Sequence, residues 1–157
     1  MGVRVEMPSN QPIVLLKESD GARYLPIWLG AVEATAIAFA QQGVEPPRPL
    51  THDLMNNLLD LLDATVTAVH LTEIKDGIFY ATMLLRDSKA GQLTISARPS
   101  DAIALALRAS ANILASSELL DEIGIEIPSE GAPGDENQEV ERFREFLDQI
   151  NPEDFAG

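Results

Sequence analysis

Thr65-Val-Thr-Ala-Val-His-Leu-Thr-Glu-Ile-Lys-Asp-Gly-Ile-Phe-Tyr-Ala-Thr-Met-Leu-Leu-Arg86 is the stretch on which the fold turns. It is rich in β-branched and aromatic residues, has no proline, and is split once by Asp76-Gly77. Asp-Gly between two such runs is a strong short-range hairpin signal, because both turn residues tolerate positive φ. The stretch therefore predicts strands over 65–74 and 78–86, joined through Lys75-Asp76-Gly77. Ser88 to Gly91 turns the chain again and 92–97 reads as a further strand, which makes an antiparallel meander.

Upstream, Val3, Val5 and Met7 alternate with Arg4 and Glu6, as in a half-buried strand. Pro8-Ser9-Asn10 is a turn and Ile13 to Leu16 a second strand. Ser19-Asp20-Gly21 then leads to a third over 24–29, and these last two should form a hairpin. Gly30 introduces an alanine-rich helix over 31–42, stopped by Gly43. Its apolar residues lie on nearly all sides, so deep burial is expected. Glu45-Pro-Pro-Arg-Pro49 must be an ordered loop. A second helix spans 51–62, with Leu54, Met55, Leu58, Leu61 and Leu62 expected inward and Asn56, Asn57, Asp60 and Asp63 outward. A third spans 99–110, followed by a short strand at 113–115 and a short helix at 117–123. The fold class is α+β: a largely antiparallel or mixed sheet of about six to seven strands packed with three main helices.

Residues 1–128 make the packed domain. Residues 129–139 are an acidic Gly/Pro linker with nothing to bury. In 140–157, Val140, Phe143, Leu147 and Ile150 recur at helical steps with Phe146 beside them, until Pro152. This C-terminal amphipathic helix is too short to stand alone, so its apolar stripe should dock on the domain or on a partner.

The chain has 157 residues and 45% hydrophobic content, enough for a single real core. It lacks cysteine, which excludes disulfides, thiolate nucleophiles and Cys-based zinc sites. Its two histidines, His52 and His70, leave any metal site dependent on carboxylates. There is no basic and apolar leader at the start. The longest apolar stretch, near 31–40, contains Glu33 and Thr35 and is too short for a bilayer. A cytoplasmic protein without membrane segments is expected. Net charge is −14, with sixteen acids and nine bases in 1–128 and nine acids and two bases in 129–157. Each part thus carries −7. Such acidity repels phosphate polymers and disfavours tight non-specific nucleic-acid binding.

Two segments share one pattern, Arg48-Pro49-Leu50-Thr51-His52-Asp53-Leu54 and Arg98-Pro99-Ser100-Asp101-Ala102-Ile103. Each sets Arg-Pro before a hydroxyl residue, an aspartate and an apolar helix. Capping accounts for part of this: Thr51 and Ser100 suit N-caps, and Asp53 and Asp101 complement the helix dipole. It does not account for Arg48 and Arg98, whose guanidinium forks suit a carboxylate or a phosphate. His52, beside Asp53 at a helix start, would be oriented by that carboxylate and suits a general base or a metal ligand. His70, within a strand, suits a cross-strand surface role. Glu33 falls at N3 if Gly30 is the N-cap, where a carboxylate reaches back to backbone N–H groups. A divalent site for Mg or Mn from Glu33, His52, Asp53 and Asp101 requires three helix starts to converge. No Gly-rich phosphate loop, Ser-His-Asp spacing or HExxH is present.

These segments also carry a resemblance. Leu25-Pro-Ile-Trp-Leu-Gly30 leading to Glu33, Ala34 and Ile37, then Arg48 to Leu54, then Gly77-Ile-Phe-Tyr-Ala81, then Arg98-Pro-Ser-Asp-Ala-Ile-Ala-Leu105, together resemble the bifunctional nuclease family over residues 3–128. The tail Phe143-Arg-Glu-Phe-Leu-Asp148 with Pro152-Glu-Asp-Phe155 is similar to the C-terminal extension of bacterial members. The resemblance implies an α+β fold, frequent dimers or larger homo-oligomers, and cleavage of DNA and RNA with little sequence preference. Some relatives carry an extra helical motif of the nucleotide-excision-repair type, from which the short acidic tail here departs.

Three functions fit these residues. The first is a metal-assisted phosphodiesterase in which Glu33, His52, Asp53 and Asp101 hold an ion that activates water while Arg48 and Arg98 neutralise the phosphate, with Thr51 and Ser100 near the substrate. The second is a non-catalytic interaction module whose Arg-Asp pairs are structural. The third is an anion-binding domain that uses two helix N-termini.

Overall fold

The computed structural model describes residues 2–6 and 11–126. Met7, the acidic linker and the C-terminal amphipathic helix lie outside the described residues. The expected α+β class holds, with the strands divided between two sheets. One contains β1 (Gly2–Glu6), β2 (Ile13–Lys17), β3 (Arg23–Trp28) and the short β8 (Ile125–Glu126), antiparallel in that order. The other contains β4 (Ala64–Lys75), β5 (Ile78–Asp87), β6 (Gly91–Ala97) and β7 (Asn112–Ala115), in the order β6-β5-β4-β7. Its first three strands are the expected meander, whereas β7 joins β4 in parallel. Four helices complete the domain: α1 (Ala31–Gln42), α2 (Thr51–Leu61), α3 (Pro99–Arg108) and α4 (Ser117–Ile123).

The turn between β4 and β5 puts Asp76 at φ 50° and Gly77 at φ 75°. Both central residues have positive φ, the type I′ geometry whose twist matches a two-stranded ribbon. Register shifts between Val66 and Ala68 and between Leu71 and Glu73 insert bulges into the β4–β5 ladder. The first changes the alternation by one residue, so Val66 and Val69 both face the core although they are three apart.

Helix α3 is the centre of the packing. Ala102, Ile103, Ala104, Leu105 and Ala106 have no exposed surface. Small alanines let the helix lie close against β4, β5 and β7 while α1 and α2 pack on it from elsewhere. One continuous core joins these residues to Val14, Leu16, Leu25 and Ile27 of the first sheet and to Val66, Val69, Leu71 and Met83 of the second. Ser116 ties α4 to β4: its hydroxyl donates to the Thr72 carbonyl at 2.8 Å and accepts from the Leu119 N–H at 3.1 Å.

Two helices depart from expectation. Only Ala34 and Ile37 of α1 are buried, and Val32 is 80% exposed, so a helix apolar on most sides is covered on one. The departure in α2 is larger. Leu54, Leu58, Leu61 and Leu62, read as its core face, are 49%, 48%, 79% and 67% exposed, while Asn56 and Leu59 are partly buried. The helix is seated by its start: His52 and Asp53 bond to α3, and this turns the leucines outward.

Candidate functional site

The first turns of α1, α2 and α3 are built alike. Each carries an acid at its third position: Glu33, Asp53 and Asp101. Acids there complement the helix dipole. The N-caps are Gly30, Leu50 and Arg98, all extended. Thr51 and Ser100 therefore do not cap; they occupy N1 and N2. At α3 this follows from Pro99, whose fixed φ and missing N–H suit N1 and place the cap one residue earlier. At α2 the expected hydroxyl cap is replaced by Asp53, whose Oδ2 accepts the Leu50 N–H at 2.9 Å.

Three helix starts converge through side chains distant in sequence. The Arg98 guanidinium donates through Nε to Asp101 Oδ2 at 2.8 Å and through Nη2 to Asp101 Oδ1 at 3.1 Å. Its Nη1 reaches Glu33 Oε1 at 3.2 Å. His52 Nε2 lies 3.0 Å from Asp101 Oδ1. A carboxylate only accepts, so Nε2 carries the hydrogen, and no described residue engages Nδ1. The carboxylate that orients His52 is thus Asp101, forty-nine residues away, and not its neighbour Asp53. Burial pushes the Asp101 carboxyl upward, but the hydrogen bonds from Arg98 and His52 outweigh it and hold the group below the usual carboxylate range. The paired carboxylates raise Arg98 above its ordinary value, Asp101 most.

Gly30 makes this arrangement possible. The Glu33 carboxylate folds back over its own N-cap, and a Cβ at position 30 would lie 2.4 Å from Oε2.

Asp53 belongs to a different cluster. Its Oδ1 accepts from Arg108 Nε, and Arg108 Nη1 donates to the carbonyls of Ala36 at 3.1 Å and Ala104 at 2.9 Å. One guanidinium, with its side chain 10% exposed, therefore ties α1, α2 and α3 together. The Arg108 hydrogen bond is the main reason the Asp53 carboxyl is held low, with the Leu50 N–H adding to it. Asp101, Leu105 and Arg108 share one face of α3 by their i, i+4, i+7 spacing, and α2 begins against that face. Arg108 was missed in the sequence because a cation in a helix's last turn is ordinary. Its spacing from Asp101 was the available signal.

Arg48 is exposed, and among the described residues it forms no ion pair and does not join the cluster. Ser100 is buried, 7% exposed. Thr51 stands at the edge of a cavity of about 600 Å³, a size suited to a small ligand. Glu33, His52, Arg98 and Asp101 form its polar side, while Met55, Met83, Ile95 and Leu105 form its apolar side.

The four residues expected to ligate Mg or Mn are engaged with other protein groups in this arrangement. Both oxygens of Asp53 are engaged elsewhere, and Glu33 and Asp101 are held by a guanidinium that a cation would have to displace. Among the described residues no three His, Asp or Glu are grouped to hold a metal. No helix among them is long and apolar enough to cross a membrane.

Two proteins of Mycobacterium tuberculosis, "Uncharacterized protein Rv1829" of strain H37Rv and "Uncharacterized protein MT1877" of strain CDC 1551 / Oshkosh, are similar to this chain. Each is 45% identical over 159 residues, covering 99% of this chain and 94% of the relative. The family model described as "Bifunctional nuclease domain" matches residues 14–128. That span takes in all three helix starts, the Arg98 cluster and the cavity beside it. The chain belongs to the bifunctional nuclease domain family.

Proposed function

We propose that this protein cleaves phosphodiester bonds of RNA or DNA, with His52 as general base, Asp101 as the group that orients it, and Arg98 as the anion-stabilising cation. The observation that carries this reading is the His52–Asp101 pair, 3.0 Å apart on the wall of the cavity, with Arg98 bonded to the same carboxylate. Asp101 accepts the Nε2 hydrogen and so fixes the tautomer in which Nδ1 is basic. Nδ1 then takes a proton from the attacking hydroxyl, either water or a ribose 2′-OH, as that oxygen bonds to phosphorus; the P–O bond to the leaving nucleoside breaks, and its oxygen takes a proton from water or from the His52 imidazolium so formed. Arg98 faces the negative charge that develops on the phosphoryl oxygens. The apolar side of the cavity, Met83, Ile95 and Leu105, receives a base or sugar face. No step is assigned to Asp53, Arg48 or a resident metal. A net charge of −14 opposes the approach of a polyanion, so weak substrate binding is expected.

The test uses protein purified free of other nucleases, incubated with labelled single- and double-stranded RNA and DNA, with and without a chelator. Cleavage is expected to survive chelation and to fall roughly 10²- to 10⁴-fold in His52→Ala and Asp101→Asn, the range for loss of general acid–base catalysis. Equal cleavage by the variants and the unaltered chain refutes the assignment.

A second reading has its own support. Arg98 is already neutralised by Glu33 and Asp101, which is what a structural lock between α1 and α3 requires. On that reading the domain is an interaction module. The same variants then lose stability and have no activity to lose.

A further inference from the structure

Helix α2 presents its apolar side to solvent. Leu54, Leu58, Leu61 and Leu62 fall within a sector of roughly 100° on a 3.6-residue wheel, the width of a buried helix face. The inward side holds His52, Asn56 and Leu59, so the pattern of a soluble helix is inverted. Exposed Asp60 borders the stripe, exposed Asp63 follows its end, and exposed Arg48 precedes its start. No Lys or Arg lies between Pro49 and Asp63. The C-terminal segment, outside the described residues, has the reciprocal pattern in its sequence. On the same wheel Val140, Phe143, Phe146, Leu147 and Ile150 fill a sector of roughly 120°. Arg142 and Arg144, the only bases in 129–157, flank that sector on either side, and Glu141, Glu145 and Asp148 lie opposite it.

We propose that residues 140–150 dock as a helix, antiparallel, along the leucine stripe of α2 in the same chain. The lengths match, because eleven residues in each make about 16 Å of helix. The side chains match in register. With Phe146 set against Leu58, antiparallel pairing places Phe143 against Leu61 and Ile150 against Leu54. The charges match in that same register. Arg142 comes beside Asp60 and Asp63 at the end of α2, and Glu153 and Asp154 come beside Arg48 at its start. Parallel pairing would instead bring Glu153 and Asp154 towards Asp60 and Asp63. The linker decides which copy supplies the segment. The thirteen residues 127–139 extend to about 43 Å, more than the roughly 35 Å diameter expected of such a domain. A tether of that length holds the segment at roughly millimolar effective concentration, so at micromolar protein it outcompetes the segment of another chain. A helix too short to stand alone thereby gains the surface it needs, and its acids face solvent. The proposal does not rest on the catalytic reading, because none of these groups bonds to the His52 cluster.

Disulfide trapping on the full chain tests it, since the chain has no cysteine of its own. In Leu58→Cys/Phe146→Cys, mild oxidation is expected to close an intrachain disulfide at least tenfold faster than in Leu58→Cys/Glu145→Cys, whose second position lies on the far side of the segment. Hydrogen exchange gives a measurement free of cysteines. Backbone N–H groups of 143–150 should exchange at least tenfold more slowly in the unaltered chain than in Leu58→Glu. Those of β4 and β5 should be unchanged, since position 58 is half exposed. Asp60→Arg should lower the protection of 143–150 about threefold, and Asp60→Arg/Arg142→Asp should restore it. An unprotected segment in the unaltered chain overturns the proposal, as does protection indifferent to Leu58→Glu or equal trapping of the two cysteine pairs. A disulfide formed between chains, from 58 to 146 or from 58 to 58, overturns docking within one chain and puts a second copy on the stripe. A double reversal that fails to restore protection overturns the antiparallel arrangement.

Discussion

Replacing Arg108 with methionine keeps the apolar stem and removes the guanidinium that joins α1, α2 and α3. Three hydrogen bonds are lost, to Asp53, to the Ala36 carbonyl and to the Ala104 carbonyl. Removing one partner of a buried ion pair costs roughly 3–5 kcal/mol, chiefly through the charge left behind. The Asp53 side chain is 23% exposed and keeps its bond to the Leu50 N–H, so water recovers part of that cost. The expected loss is therefore about 3 kcal/mol, which for a domain of this size lowers Tm by about 12 °C. Urea titration followed by circular dichroism measures it. Asp53→Asn removes the charge but keeps a capping oxygen, and alone should cost about 1–2 kcal/mol. Combined with Arg108→Met it should cost less than the sum by about 1–2 kcal/mol, because no unpaired carboxylate is then left. The pH dependence has a definite sign. Asp53 is held below its ordinary value when folded, so its contribution is present above the unfolded pKa and is lost as pH falls through the lower, folded one. Arg108→Met should flatten that acid limb. A loss under about 0.5 kcal/mol, or strict additivity with Asp53→Asn, would refute the assignment of Arg108 as the three-helix tie.

Gly30→Ala tests the Glu33 arrangement. Its backbone, φ −72° and ψ 158°, suits alanine, yet the new Cβ displaces the Glu33 carboxylate. Stability should change by under about 1 kcal/mol, since a flexible side-chain end gives way and a surface pair contributes little. Any cleavage activity should shift in KM through Arg98, as kinetics with short substrates would show. Gly77→Ala places a Cβ at φ 75° in the β4–β5 turn and should cost about 1–2 kcal/mol by thermal melting, without any effect on cleavage.

The local grammar of the chain was largely legible. Asp76-Gly77, Ser19-Asp20-Gly21 and Gly43 announce two hairpins and a helix stop, because turn chemistry acts over a few residues. The repeated Arg-Pro starts pointed to His52, Arg98 and Asp101, and the helix start at Gly30 to Glu33, and these four meet in space. What stayed hidden is what depends on long-range placement. Asp53 sits next to His52, yet helical rotation sends its carboxylate to Arg108 and leaves His52 to Asp101. The leucines of α2 announce an apolar stripe, but periodicity carries no information on whether a stripe meets its own core or another surface. The division of strands into two sheets was invisible for the same reason: alternation fixes which side of a strand is buried, not which strand lies beside it.

The double engagement of Arg98 has a further consequence. Three of its five N–H hydrogens are taken, so an incoming anion can add to the two that remain or exchange with Glu33, the ligand with the single, longer contact. In the exchange, a strongly basic oxyanion such as a phosphoryl group would compete with Glu33 better than a weakly basic anion. The swing of one glutamate would serve as an internal standard against which every arriving guest is compared.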